Sequence, residues 1–183
     1  VNAPFPISKS KKNGYNRKQV DEFLERARRS YDGVATSDEH IASADLRRVS
    51  FDLQRGGYQA RFVDAALDRL EDVFFERERR EALRTYGDEA WMNALRVQAT
   101  ELRNRLEAER GYRFKRSGVF TAGYNRNEVD LFLDRVMLFL NGHASLTAIE
   151  VRDTVFTGQN RGYVEDQVDA FLDAVVSFIL ASR

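Results

Sequence analysis

Apolar residues return along this chain at helical spacing, four times and in one frame. In the clearest stretch, Val129, Phe132, Leu133, Val136 and Leu140 fall on one side of an α-helix. Asn125 stands where such a helix is capped, Glu128 follows three residues later, and Asn141-Gly142 is a stop, so a helix is predicted over 125–141. An earlier stretch repeats the logic with Asn16, Gln19, Val20, Phe23, Leu24, Ala27 and Tyr31, ending at Gly33. The last runs through Val168, Phe171, Leu172, Val175 and Ile179. Val176 and Phe178 widen its stripe, which implies burial on more than one side.

The four stretches share a signature. Gly-Tyr is followed at fixed distance by Val-Asp-x-Phe-Leu: Gly14-Tyr15 with Val20, Phe23 and Leu24; Gly57-Tyr58 with Val63 and Leu67; Gly123-Tyr124 with Val129, Phe132 and Leu133; Gly162-Tyr163 with Val168, Phe171 and Leu172. The second copy carries Ala66 where the others carry Phe, leaving room for a neighbour's ring or a closer helix. Each Gly-Tyr reads as the turn into its helix, Gly supplying positive φ and Tyr burying its ring with a wet hydroxyl. Asp21, Asp64, Asp130 and Asp169 lie near helix N-termini, where a carboxylate is favoured.

The copies also pair by what precedes them. Phe5 and Phe114 stand at the same distance before Gly14 and Gly123, whereas Asp45…Phe51 and Glu150…Phe156 lead into Gly57 and Gly162. The chain thus reads as a duplicated pair. Residues 1–86 form the first, with copies at 14–33 and 41–86. Residues 87–111 form a helical spacer, and 112–183 the second pair, with copies at 114–142 and 146–183. Thr147 and Glu150 make a capping box for a short helix. Around Gly87 two charged helices meet, either as an antiparallel α-hairpin or as one long bent helix. The expected fold is all-α, tandem helical repeats forming hairpins or short coiled coils. If a single copy must pair to bury its stripe, copies one and two can pair with each other, and so can three and four.

Composition narrows the function. Charged residues reach 32% and the 29 basic and 29 acidic residues cancel, which argues against a dedicated nucleic-acid binder. Cysteine is absent, excluding thiolate chemistry and disulfides, and fitting a reducing compartment. No apolar run approaches the ~18 residues of a membrane span. The start lacks a signal peptide's apolar stretch, and Val1 in place of Met fits a trimmed fragment. His40 and His143 are the only histidines and fall in predicted turns, and no phosphate-cradling glycine loop occurs. The reading is therefore no enzyme, no cofactor, no metal and no small-molecule substrate.

With those residues in view, the signature Phe…Gly-Tyr…Val-Asp-x-Phe-Leu resembles the N-terminal domain of DivIVA-family proteins. Copy four, from Glu150-Val151 through Phe156, Arg161-Gly162-Tyr163 and Val168-Asp169-Ala170-Phe171-Leu172, matches best. Tandem copies look like the DivIVA-domain repeat proteins of actinobacteria. The resemblance implies a cytoplasmic scaffold of cell division or polar growth, with the domain pairing as a parallel dimer. It also implies membrane binding at the septum or pole through an exposed Phe followed by Arg, just before Gly-Tyr. Of the four copies only Arg161 matches that Arg, and Phe120 lies one residue early for the Phe; the family's long C-terminal coiled coil is missing.

The candidate contact residues are basic or exposed. Lys9, Lys11, Lys12, Arg17 and Lys18 form an N-terminal stretch without an acid, beside Phe5 and Ile7, which can dock on anionic lipid at about 1 kcal/mol per charge. A solvated arm is the plainer reading. Arg55, Phe120 and Arg161 join them at the turns. Three classes follow. The first is a membrane-associated scaffold with self-association or division proteins as partners. The second is a soluble protein–protein adaptor, and the distant third binds nucleic acid through the basic arm.

Overall fold

The computed structural model describes residues 4–9, 12–34, 36 and 39–183. The chain divides into two compact units, residues 1–81 and 82–183. The first holds β1 (Asn13–Tyr15), α1 (Arg17–Tyr31), α2 (Ser43–Arg48), β2 (Leu53–Arg55) and the start of α3 (Ala60–Leu106). The second holds the rest of α3, then β3 (Ala122–Tyr124), α4 (Arg126–Leu140), α5 (Ala148–Arg152), β4 (Gly158–Asn160) and α6 (Glu165–Ala181).

The fold is mostly helical, and all-α is corrected in one respect: each unit contains a small antiparallel sheet. β1 pairs with β2, Gly14 opposite Gln54, and β3 pairs with β4, Gly123 opposite Gln159. The Gly-Tyr dipeptides of copies one and three are therefore strands, not turns. Nor is positive φ their purpose, because the positive-φ glycines are Gly33, Gly56, Gly87, Gly111 and Gly142. Their need is for closeness. A Cβ on Gly14 would lie 2.3 Å from the Tyr58 carbonyl oxygen, and one on Gly57 2.4 Å from that of Tyr15. In the second unit the distances are 2.2 Å for Gly123 to Tyr163 O and 2.4 Å for Gly162 to Tyr124 O. No side chain fits where two backbones touch this closely.

That approach lets the tyrosines exchange backbone bonds. Tyr15 N donates to Tyr58 O at 2.8 Å and Tyr58 N returns to Tyr15 O at 2.9 Å; Tyr124 and Tyr163 do the same at 3.0 and 2.9 Å. Copies one and two thus pair inside the chain, and so do three and four. The helical stripes close each core. Val20, Val63, Val129, Leu133 and Val168 are fully buried, Phe23, Leu67 and Phe171 nearly so, and Leu24, Phe132 and Leu172 are half-buried. Each lead-in phenylalanine packs on the opposite copy, Phe5 on Tyr58, Phe51 on Tyr15 and Phe23, Phe114 on Tyr163 and Phe171, Phe156 on Tyr124 and Phe132.

Helix ends follow the expected signals. Asn16 and Asn125 cap α1 and α4, and Thr147 with Glu150 forms the capping box of α5. Glu128 does not return to Asn125; it accepts from Thr157 N and Oγ1, both at 2.7 Å, tying α4 to the strand of the opposite copy. In the first unit Ala42 has no acceptor for a cap, and Glu78 of α3 serves instead, accepting from Ser43 N and Oγ at 2.7 Å. Gly87, at φ 83° and ψ 166°, interrupts the helical dihedrals of α3. The segment beyond it, expected as a spacer, packs within the second unit. Trp91 Nε1 donates to Ala181 O, Gln98 Nε2 to Ala174 O, and Leu102 and Leu106 are buried. This third helix explains the wide stripe of α6, whose Val176, Leu180 and Ala181 are buried as well as Val175 and Ile179.

Candidate interaction sites

The shared aspartates have partners that helix position alone does not suggest. Tyr58 Oη donates to both carboxylate oxygens of Asp21, at 3.0 and 3.2 Å. The Tyr15 hydroxyl bonds Asp64. In the second unit Tyr163 reaches Asp130 at 3.0 and 3.1 Å, and Tyr124 reaches Asp169 at 3.5 Å. Every copy's tyrosine therefore holds the aspartate of the copy it is paired with, correcting the reading of these carboxylates as helix-end charges. Burial, then the neighbouring aspartate, pushes Tyr15 and Tyr124 above the ordinary phenol range. Burial raises the carboxyls of Asp64 and Asp169.

On one side of this lock the units differ. Asp130 is 3% exposed and also accepts from Gly111 N at 2.6 Å, while the Arg113 guanidinium lies 3.8 Å away. Arg113 donates to Asp134, one helical turn on, at 2.7 Å, and Arg110 joins the same carboxylate. An arginine-bearing loop of the chain itself thus fills the acidic edge of α4. The matching acids in the first unit are Asp21 and Glu25 on α1. Pro4 stands where Arg113 does, and among the described residues neither acid has an ion-pair partner. A groove of about 570 Å³ runs past them, lined also by Phe23 and Arg26.

The other candidate surface is the tip preceding Gly-Tyr. In the second unit Thr121 N donates to Gly118 O at 3.1 Å, closing a turn whose corner residues are Val119, 57% exposed, and Phe120, 101% exposed. Ser117 N donates to Gly162 O, setting this turn beside Arg161. Arg161 is the one non-glycine residue with positive φ among those described, at 56°. Its counterpart in copy two is Gly56, at 66°. In the first unit Lys12 N donates to Lys9 O at 2.7 Å.

Lys9 and Lys12 are exposed there with Arg55, which pairs across the strand with Asn13; Lys11 lies outside the described residues. Arg17 and Lys18 are exposed at the start of α1, Lys18 facing Glu22. The segment around Ile7 is not a free arm. Ser8 N donates to Gly57 O and Gln59 N to Pro6 O, at 2.8 and 2.9 Å. His40 and His143 are exposed. Among the described residues no helix is long and apolar enough to cross a membrane, and no cluster of His, Asp or Glu is placed to hold a metal.

The sequence reading missed Arg110, Arg113 and Asp134. The available signal was the pair of arginines three apart just before Phe114, facing acids one turn apart on α4. No protein-family model matches the chain, and neither does any curated protein or solved structure.

Proposed function

We propose that this protein is a non-enzymatic scaffold or adaptor of the DivIVA-like class, acting in cell division or polar growth on the cytoplasmic side. Its first unit receives an arginine-bearing segment of a partner protein at Asp21, Glu25 and Tyr58. The observation that carries this reading is the second unit, where the same acids already hold Arg113 and Arg110. Two carboxylates one helical turn apart suit a guanidinium, which forms paired, charge-assisted bonds. The repeat signature supports the class, since the copies are spent on pairing and leave polar faces for outside company.

The test uses a labelled peptide of residues 107–114, Glu-Ala-Glu-Arg-Gly-Tyr-Arg-Phe, titrated into the full chain. Saturable binding that weakens with salt and disappears in Asp21→Asn/Glu25→Gln is expected. Binding indifferent to those two substitutions would remove the reading.

A second reading adds the membrane as a surface, and one observation favours it. Arg161 keeps a left-handed backbone that glycine would hold more easily, beside a fully exposed Phe120. Strain retained at an exposed tip points to use. Arg161→Gly should raise stability by about 0.5–1 kcal/mol yet reduce sedimentation with anionic vesicles. Phe120→Ser should reduce sedimentation without altering stability. No sedimentation of the parent protein with anionic vesicles would leave the soluble adaptor, and equal binding by all three would remove this tip as the contact.

A further inference from the structure

Within the second unit copies three and four are related residue for residue through Gly123 and Gly162. Phe132 corresponds to Phe171, Leu131 to Ala170, and Arg135 to Ala174. Each of the two phenylalanines meets a lead-in ring edge-on, Phe132 with Phe156 at 6.1 Å and Phe171 with Phe114 at 5.8 Å. A groove lies beside each. The one at Phe171 is bordered by Leu102 and Arg105 of the helix after Gly87, which lies along α6. The one at Phe132, of about 350 Å³, is lined by Leu131, Val155, Phe156, Glu128 and Arg135, and among the described residues no helix besides α4 lines it.

That second groove is more apolar than its place requires. Leu131 is 68% exposed and Val155 88%. In the first unit the same positions are Glu22 and Ser50, so the fold does not need apolar residues there. Exposed apolar side chains gathered about a groove mark an interaction surface.

We infer that the groove at Phe132 and Phe156 docks an amphipathic helix of a partner protein. The occupant's chemistry is read from the helix that borders the equivalent groove, a cavity of about 720 Å³. That helix turns Trp91, Leu95, Ala99, Leu102 and Leu106 inward along one stripe, with Arg105 at its end among the residues around Gln167. Gln167 corresponds to Glu128, whose carboxyl is held below the usual carboxylate range by the Thr157 amide and hydroxyl. A basic residue at the Arg105 position thus meets a carboxylate. The partner is a Leu/Ala-striped helix with Arg or Lys at one end.

The probe is a labelled synthetic peptide of residues 88–106 of this chain, added to the full protein and followed by fluorescence anisotropy. The intact protein should bind it saturably, and Leu131→Glu/Val155→Ser, which installs the first unit's residues, should weaken binding about tenfold or more. Both side chains are exposed, so the melting temperature of the variant should match the parent. A third variant, Glu128→Gln, should weaken binding less and reduce its salt dependence. Absence of saturable binding, or binding unchanged in the double variant, overturns the proposal.

Discussion

In the first unit a buried acid occupies ground that the second gives to a valine, while both keep an arginine at the facing position, Arg47 and Arg152. Arg47 Nε donates to Glu71 at 2.7 Å, with Glu71 1% exposed; Val176 stands at the matching place on α6. Among the described residues the acidic edge of α1 is open whereas that of α4 is filled by Arg113, and only the second unit carries a further helix along its last one. What stays constant is narrower: two glycines back to back, two tyrosines exchanging backbone bonds, and two tyrosine–aspartate bonds. The comparison separates what pairing requires from what each unit does with its surface. The second has satisfied one acidic edge from its own chain, and the first has left the equivalent acids exposed.

If the glycine contact is what pairing requires, it should fail equally in both units. Gly14→Ala and Gly123→Ala each place a methyl 2.2–2.3 Å from a backbone oxygen, and backbone has to move. We expect a loss on the order of 4 kcal/mol in either, above the usual small-to-large range because no side chain can give way. Denaturant melts of the two variants measure it. Tolerance of alanine at one position and not the other would show that the units do not share the lock.

This contact also marks where the sequence stopped being legible. The helices were readable: α4 was expected over 125–141 and runs Arg126–Leu140, because a wide apolar stripe, a cap and a glycine stop all act locally. The strands were not. Three residues are too few to show alternation, and Gly14 reads the same whether glycine is wanted for freedom or for smallness. The partner of Asp21 lies 37 residues away at Tyr58, and that of Asp130 33 residues away at Tyr163. Helical periodicity carries no information about such partners, so a local explanation was preferred for all four aspartates.

The buried pair of Arg47 and Glu71 is the next largest effect. Glu71→Ala removes the carboxylate to which Arg47 donates, in a side chain only 9% exposed, and should destabilise by about 3 kcal/mol. Arg47→Met/Glu71→Val, imitating the valine of the second unit, should recover most of that loss. Recovery would confirm that the pair is replaceable in this fold; its absence would tie Arg47 to a role outside packing.

Smaller, and aimed at the open edge, is the contrast between Asp21 and Asp130. Asp130→Asn weakens bonds to Tyr163, Gly111 and Arg113 in a buried place and should cost about 2 kcal/mol. Asp21→Asn touches only the Tyr58 bond at an exposed carboxylate and should cost about 0.5–1 kcal/mol. Equal losses, read from melts of the two variants, would mean that Asp21 already has an occupant in solution.

The smallest expected effect concerns acid. Arg135 bonds Glu150 across α4 and α5 and, with the Thr147 hydroxyl and amide, lowers its carboxyl from 4.5 to about 2. A carboxyl lowered by folding adds stability above its unfolded value and loses it as pH falls toward the folded one. The second unit should therefore lose stability between pH 4.5 and about 2 through this group. The first unit has Arg26 and Asp45 in the corresponding places, and among the described residues no bond joins them. Glu150→Gln should lower neutral stability slightly and flatten the acid limb of the melting curve in that window by the same small amount. The Arg135 and Glu150 side chains are 44% and 41% exposed, so solvent screens the pair and salt should shrink the difference further. An acid limb equally steep in the parent and in Glu150→Gln would place the loss elsewhere, with Glu128 on Thr157 the next carboxylate to replace.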